Sequence, residues 1–211
     1  QREKVTETLC YPESMNEWIS VYSNHTLLTE KPWIVLCWGA PAAGKSTVAR
    51  EFCRRHQLPR LSSDAVNQAL IGDRFLPELR PAIYQGLFAM AEAILEQGGR
   101  LVLDGTFLNP GSRAQVKTLA EELGAVYLSL QIHCALGERM RRNAKRPDCE
   151  RVPDDWLRNA HCQAALGGQG ELAVDSQRLS VNASVDYLEE ALMQKLRRAH
   201  GLQRRRAAML W

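Results

Sequence analysis

Gly39-Ala40-Pro41-Ala42-Ala43-Gly44-Lys45-Ser46-Thr47 places glycine at its first and sixth positions and follows the second with lysine and a hydroxyl residue. That spacing (GxxxxGK[ST]) belongs to loops that wrap a phosphate group. Successive backbone N–H groups converge on a β-phosphate at a helix N-terminus, where the aligned peptide dipoles add positive potential. Lys45 would neutralise the β- and γ-phosphates, and the Ser46 hydroxyl would ligate Mg²⁺. ATP and Mg²⁺ are therefore the expected ligands, with residues 39–47 as the nucleotide loop.

Two aspartates follow short apolar runs, where strands of an open α/β sheet deliver residues to a ligand. Asp64 comes after Leu61-Ser62-Ser63, and Asp104 ends Leu101-Val102-Leu103. Asp64 stands where a general base could take a proton from an acceptor hydroxyl. The plainer reading makes it a cap for a helix Ala65–Ile71. Asp104 resembles an acid that binds Mg²⁺ through water or orients the acceptor; its plainer reading is an Asx-turn into Gly105.

Arg139, Arg141, Arg142, Lys145 and Arg146 crowd one helical stretch. Such a run is usually a solvated face. Arg139, Arg142 and Arg146 nevertheless fall on one stripe, at spacings of three and four, where like charges repel and an anion would relieve them. Pro147 and Pro153 then break the helix. Residues 139–160 thus read as a lid able to bring an arginine to a phosphoryl group, with Arg142 assigned to the nucleotide.

The elements that must position these residues alternate in type. Trp33–Trp38 is a continuous apolar run of strand length, as expected of a strand covered on both faces. A helix Lys45–His56, a strand Arg60–Ser62 and a helix Pro81–Gln97 follow, the last striped by Ile83, Leu87, Met90 and Ile94 and stopped by Gly98-Gly99. After the strand Leu101–Leu103 come a helix from Gly111 to Leu123 and a strand Ala125–His133. Ser184 is the expected N-cap of a helix Val185–Ala199. Alternating strands and helices imply a parallel sheet between helix layers, an α/β three-layer fold with a helical lid. Residues 1–32 lack this pattern and read as an appendage or linker, with a short helix from Pro12 to Ser23; residues 33–211 form the domain.

Composition excludes other classes. Of 211 residues, 45 % are hydrophobic and 24 % charged, which argues against disorder. The longest apolar run is far short of the 18 or more residues that span a bilayer, so no membrane partner is expected. Six scattered cysteines without a CxxC pair disfavour a zinc finger or a disulfide framework and suit a reducing, cytoplasmic setting. Net charge is +3, compatible with anionic ligands. The tail Arg204-Arg205-Arg206 reads as a solvated terminus.

From Ile34 to Ala165 the chain resembles the kinase domain of the phage-type polynucleotide 5′-hydroxyl kinases. The resemblance rests on the loop GAPAAGKST (39–47), LSSD (61–64), LDGTFLNPGSR (103–113) and ERMRRNAKRPDCERVPDDWLRNA (138–160). The last two runs are the specific ones. The likeness implies a P-loop kinase fold and ATP- and Mg²⁺-dependent phosphoryl transfer to a 5′-hydroxyl of RNA or DNA. It implies Asp64 as general base and Arg146 as lid arginine, with Lys45 and Ser46 on the phosphates and metal. Asp104 and Thr106 fall with the acceptor. The family's arginine three residues after the base is Asn67 here, which leaves Arg74 and Arg80 as candidates to hold an acceptor phosphate. Related folds include kinases of small molecules such as antibiotics, sugars and nucleotide sugars. A non-catalytic ATP-binding switch is a third alternative, though it has no need of Asp64.

Overall fold

The computed structural model describes residues 31–72, 76–165 and 172–208, so the expectations for residues 1–30 and for Arg74 fall outside the described residues. In chain order the elements are β1 (Trp33–Trp38), α1 (Lys45–His56), β2 (Arg60–Ser62), α2 (Ser63–Ile71), α3 (Arg80–Glu96), β3 (Arg100–Asp104) and α4 (Pro110–Glu122). Then come β4 (Val126–His133), α5 (Leu136–Ala144), α6 (Asp154–Ala165), β5 (Leu172–Asp175) and α7 (Val181–Ala208). Short 3₁₀ turns at Pro77–Leu79 and Asp148–Glu150 lead into α3 and divide α5 from α6.

Strand β1 explains the layering. Successive side chains on a strand point to opposite faces. Trp33, Val35 and Cys37 pack with Val48 and Phe52 of α1 and with Val185, Leu188, Leu192 and Leu196 of α7. Ile34, Leu36 and Trp38 pack the other way, with Ala91 and Leu95 of α3 and Val116 and Ala120 of α4. A strand apolar at every position is the consequence, and all six residues are buried. Fully burying a leucine or valine contributes ~1.5–3 kcal/mol, so the four-residue stripe of α7 alone supplies roughly 6–12 kcal/mol as an upper estimate.

The five described strands are all parallel in the order β2-β3-β1-β4-β5, with β1 central. Register aligns Cys37 with Asp104, and Ser62 with Asp104, so the C-terminal ends of β1, β2 and β3 meet at one rim. This is the three-layer α/β architecture expected. No described helix is long and apolar enough to cross a membrane.

Local details differ from the sequence reading. The final helix starts at Val181, because Ser180 caps it: the Ser180 Oγ accepts from the Ala183 N–H at 3.2 Å. Ser184 is buried inside the first turn, and its hydroxyl donates to the Ser180 carbonyl at 2.8 Å. The strand β5 was not foreseen. Cys37, Cys53, Cys134 and Cys162 are free thiols. Burial pushes the Cys53 thiol up to about 12.

Candidate active site

The phosphate loop leaves β1 in a backbone that only part of the chain adopts easily. Gly39, Ala42 and Gly44 all have left-handed torsions, at φ 144°, 60° and 96°. At Gly39 a Cβ would collide with the carbonyl oxygen of Ile132, so no side chain fits there. The Gly39 N–H donates to the Thr106 carbonyl at 3.2 Å, tying the loop to the segment that follows β3. Gly44 caps α1 without a side-chain partner, as expected where a helix start is left open. Among the described residues the N–H groups of Gly44, Lys45 and Ser46 donate to no acceptor in the chain. Those unspent donors, with the helix dipole behind them, form an anion cradle.

Lys45 is buried, and its Nζ donates to the Ala40 carbonyl at 3.0 Å. Desolvation lowers its pKa from the ordinary 10.5. The Asp104 and Asp64 carboxylates oppose that shift, whereas Arg146 and Arg139 reinforce it. Both aspartates and Arg146 therefore stand within electrostatic range of one ammonium, on segments as far apart in sequence as α2, β3 and the turn after α5.

Asp64 is exposed in the first turn of α2. The capping role belongs instead to Ser62, whose Oγ accepts from the Ala65 N–H at 3.4 Å. Asp64 is thus left open to solvent. Asp104 is almost wholly buried, and its Oδ2 accepts from the Arg60 Nη1 at 2.6 Å. The Asx-turn into Gly105 does not form, because the carboxylate turns toward β2. Its Oδ1 is buried with no hydrogen-bond partner. Arg60 carried no motif in the sequence; its only signal was an arginine on a short strand beside Asp104.

An orphaned buried carboxylate oxygen is the observation that tests the expected Mg²⁺. Mg²⁺ keeps several waters and takes one or two protein oxygens plus phosphate. Asp104 Oδ1 and the Ser46 hydroxyl, at the start of α1, fit that sparse demand. No described group of three or more His, Cys, Asp or Glu could hold a metal by protein ligands alone.

The segment after β3 is held in a strained form. Phe107 is buried with φ 40°, left-handed for a bulky residue. Its N–H donates to the Tyr84 hydroxyl at 3.4 Å, and its carbonyl accepts from Arg113 at 2.6 Å. Arg113, missed by sequence reasoning, is itself buried, with its guanidinium 3.9 Å from the Trp38 ring centre. Thr106 meets two polar groups of α3: its Oγ1 lies 3.0 Å from Arg80 Nη2 and 3.2 Å from the Tyr84 hydroxyl. Thr106 and Arg80, singled out separately in the sequence, are therefore partners.

The lid arginines do three different things. Arg139 does not face an anion. It is buried, and its guanidinium donates to the carbonyls of Pro41 and Leu157 at 3.3–3.5 Å. A guanidinium that reaches only carbonyls is desolvated, which lowers its pKa. Arg142 donates to Glu138 at 2.7 Å, to the Ser176 hydroxyl at 2.9 Å and to the Ala43 carbonyl at 3.4 Å. Arg142 thus rests beside the phosphate loop, and Ser176, in the turn after β5, also donates to the Ala43 carbonyl at 2.7 Å. Arg146 is half-buried near the end of the lid's first arm, with one long contact to the Glu150 carbonyl at 3.5 Å.

Residues 34–165 match the family described as an AAA domain. No curated protein matches the chain. Among solved structures, the chain is similar to the APS kinase CysC of Mycobacterium tuberculosis in complex with AMPPNP and APS. The two share 15 % identity at a TM-score of 0.60 over 78 % of this chain and 98 % of that one. A gluconokinase from Sinorhizobium meliloti 1021 is similar at 19 % identity and TM-score 0.55, over 82 % of this chain and 97 % of that one. A chain of the Pnkp1/Rnl/Hen1 RNA repair complex is similar at 24 % identity and TM-score 0.55, over 64 % of this chain and 44 % of its own length. At these identities the likeness is one of fold.

Proposed function

We propose, from the premise that this chain belongs to the AAA domain family, that it transfers the γ-phosphoryl group of ATP to a hydroxyl. One observation carries the reading: unspent loop N–H groups, a buried lysine, two carboxylates and a lid arginine meet at the same rim of the sheet.

The reaction follows from that arrangement. The loop N–H groups and Lys45 bind the nucleotide's phosphates and offset the charge that grows on the β–γ bridging oxygen. The acceptor oxygen bonds to the γ-phosphorus as the bond to the bridging oxygen breaks, leaving ADP. The acceptor's proton passes to Asp64, which solvent and substrate can reach. Arg146 lies on the lid, where it can stabilise the transferring group, and Arg142 borders the loop at Ala43. Ser46 and Asp104 would hold Mg²⁺, which supplies further neutralisation of the phosphates when bound.

The finer reading of the acceptor is a 5′-hydroxyl of RNA or DNA, supported by the sequence runs 103–113 and 138–160. A second reading, a small-molecule hydroxyl, is favoured by the scarcity of cations beside the site. Asn67 offers no charge, and among the described residues lining the adjoining cavity Arg80 is the one cation. Transfer from ATP labelled at the γ-phosphate, measured against oligonucleotides with 5′-hydroxyl ends and against small alcohols, tests both. An oligonucleotide held by two or three cations should show a log–log salt slope of about −1.5 to −2 in 1/KM, so that its KM rises with salt, whereas a small neutral acceptor should show a flat one. Absence of transfer to every hydroxyl by a chain that binds ATP would refute the enzyme and leave a nucleotide-binding switch.

A further inference from the structure

Beside the phosphate-loop rim opens a cavity of about 590 Å³, between α3, the segment after β3, the start of α4 and the start of α6. Its size lies within the ~300–1,000 Å³ of pockets that enclose small organic molecules. Its lining is largely aromatic. Four rings contribute to it, from Tyr84, Phe88, Phe107 and Trp156, and its one described cation is Arg80. That guanidinium is already committed, 5.3 Å from the Trp156 ring centre, 5.9 Å from that of Tyr84 and bonded to Thr106. No aspartate, glutamate or lysine lines the cavity among the described residues. The remaining polar groups include three carboxamides, Gln85, Asn109 and Gln115, each able to donate and accept.

We propose that this cavity is the acceptor subsite, and that it selects a planar heteroaromatic ring joined to the accepting hydroxyl, stacked on Trp156 and read at its edge by the carboxamides. The inference rests on the phosphoryl-transfer reading and specifies its substrate. Three features carry it. Aromatic walls with a fixed guanidinium match a flat, polarisable ligand and repel neither neutral nor weakly anionic rings. Carboxamide pairs suit the alternating donors and acceptors of a heterocycle better than the uniform hydroxyls of a polyol. The cavity also joins the chemistry directly, since Thr106 bonds both Arg80 and Tyr84 while its carbonyl holds the Gly39 N–H. The strained backbone at Phe107 belongs to this wall, a kind of distortion kept where function over-determines it. Trp156 is half-buried in the first turn of α6, so the ring stack closes from the lid side.

The test is direct binding to the whole chain by titration calorimetry, with Mg²⁺ and the non-hydrolysable analogue AMPPNP present. The probes are adenosine, thymidine, a ten-nucleotide DNA with a 5′-hydroxyl, and the ring-free polyol xylitol. Nucleosides should bind and xylitol should not. Trp156→Leu should weaken nucleoside binding about fivefold to a hundredfold, the usual worth of one base–aromatic stack. Trp156→Phe should retain most of it, and neither variant should alter AMPPNP affinity by more than about twofold. Xylitol binding as tightly as adenosine, or an unchanged Trp156→Leu, overturns the proposal. Should Trp156→Leu lose AMPPNP binding too, the wild-type contrast between adenosine and xylitol and the Trp156→Phe variant decide in its place. AMPPNP binding without nucleoside binding sinks the ring subsite and leaves phosphoryl transfer standing; the reverse sinks the transfer reading. DNA that binds at least tenfold tighter than a nucleoside identifies the ring as a nucleic-acid end. Equal affinities identify a small molecule, and both results support the subsite.

Discussion

Replacing Lys45 by methionine should invert the order of two melting temperatures. Lys45 is 8 % exposed, and its ammonium makes one described hydrogen bond, to a carbonyl of its own loop. Desolvation dominates its lowered pKa, ahead of the carboxylates that oppose it. The unfolded chain therefore binds the proton more tightly than the folded one. The burial penalty is fully present below the folded pKa and fades as pH rises toward 10.5. Near pH 8 methionine removes that penalty and keeps a flexible stem of similar length. Replacing a whole buried ion pair by apolar groups is often neutral or gains ~1–4 kcal/mol; no described ion pair includes Lys45, whose ammonium contacts a carbonyl, so its loss strands no paired carboxylate and about 1 kcal/mol is expected. For this chain length that raises Tm by roughly 2–4 °C. Nucleotide reverses the order. At a hundred times its Kd, AMPPNP with Mg²⁺ should stabilise the native chain by ~2.7 kcal/mol. Loss of a charged contact worth about 2–3 kcal/mol brings the variant's Kd up to that same concentration, where the gain is only ~0.4 kcal/mol. Thermal melts with and without AMPPNP, alongside a γ-phosphate transfer assay, read all three quantities. Transfer should fall more than about a hundredfold. A variant that melts below the native chain without nucleotide, or shows the same nucleotide shift, refutes the account.

Asp64→Asn should cut transfer by about 10²–10⁴-fold with AMPPNP affinity unchanged, because an amide cannot take the acceptor's proton; lost nucleotide affinity would move Asp64 to the metal site. Arg60→Met strands a buried Asp104 carboxylate and should cost about 3–5 kcal/mol in urea unfolding, unless Asp104→Leu in the same chain restores it. Gly39→Ala drives a Cβ into the Ile132 carbonyl, and a soluble variant with native Tm would contradict the loop's placement. Glu51 and Glu138 are held at about 2 by hydrogen bonds from Arg54 and Arg55 and from Arg141 and Arg142. Their contribution is present above the ordinary 4.5 and lost as pH falls toward 2, so the Tm gap between the native chain and a Glu51→Gln, Glu138→Gln double variant should close across that window.

Some of this structure is plain in the amino-acid order and some is not, for physical reasons. The loop 39–47 is legible because its chemistry resides in contiguous backbone and needs glycine at set places. Asp104 is legible because a buried strand ends on it. Strand β5 is only four residues long, too short for any periodicity to show, and the sheet edge rather than its own propensity recruits it. Ser184 and Ser180 are equally good caps by type, and only the path of the chain after β5 selects Ser180. Arg139 misleads most, since a charged run on a helix ordinarily faces water, and its burial depends on carbonyls contributed by Pro41 and Leu157. Arg60 acts through Asp104, 44 positions away, and Arg113 through the Trp38 ring and two carbonyls of a loop whose path the sequence does not report.

Arg139 also determines how α5 and α6 meet the loop. Its guanidinium grips the Pro41 carbonyl of the loop and the Leu157 carbonyl of the lid's second arm while rooted in the first. Three segments share one rivet. A planar fork that stays charged at any working pH makes that rivet insensitive to proton concentration, and a lysine could not span the same carbonyls. The two helices α5 and α6 are therefore tied to the loop at one side chain. The span between Ala144 and Asp154, where Pro147 and Pro153 interrupt the helices, is itself clasped by Asn143, whose side chain donates to the Val152 carbonyl at 2.7 Å and accepts from the Val152 N–H at 3.1 Å, with Arg146 inside the clasped span.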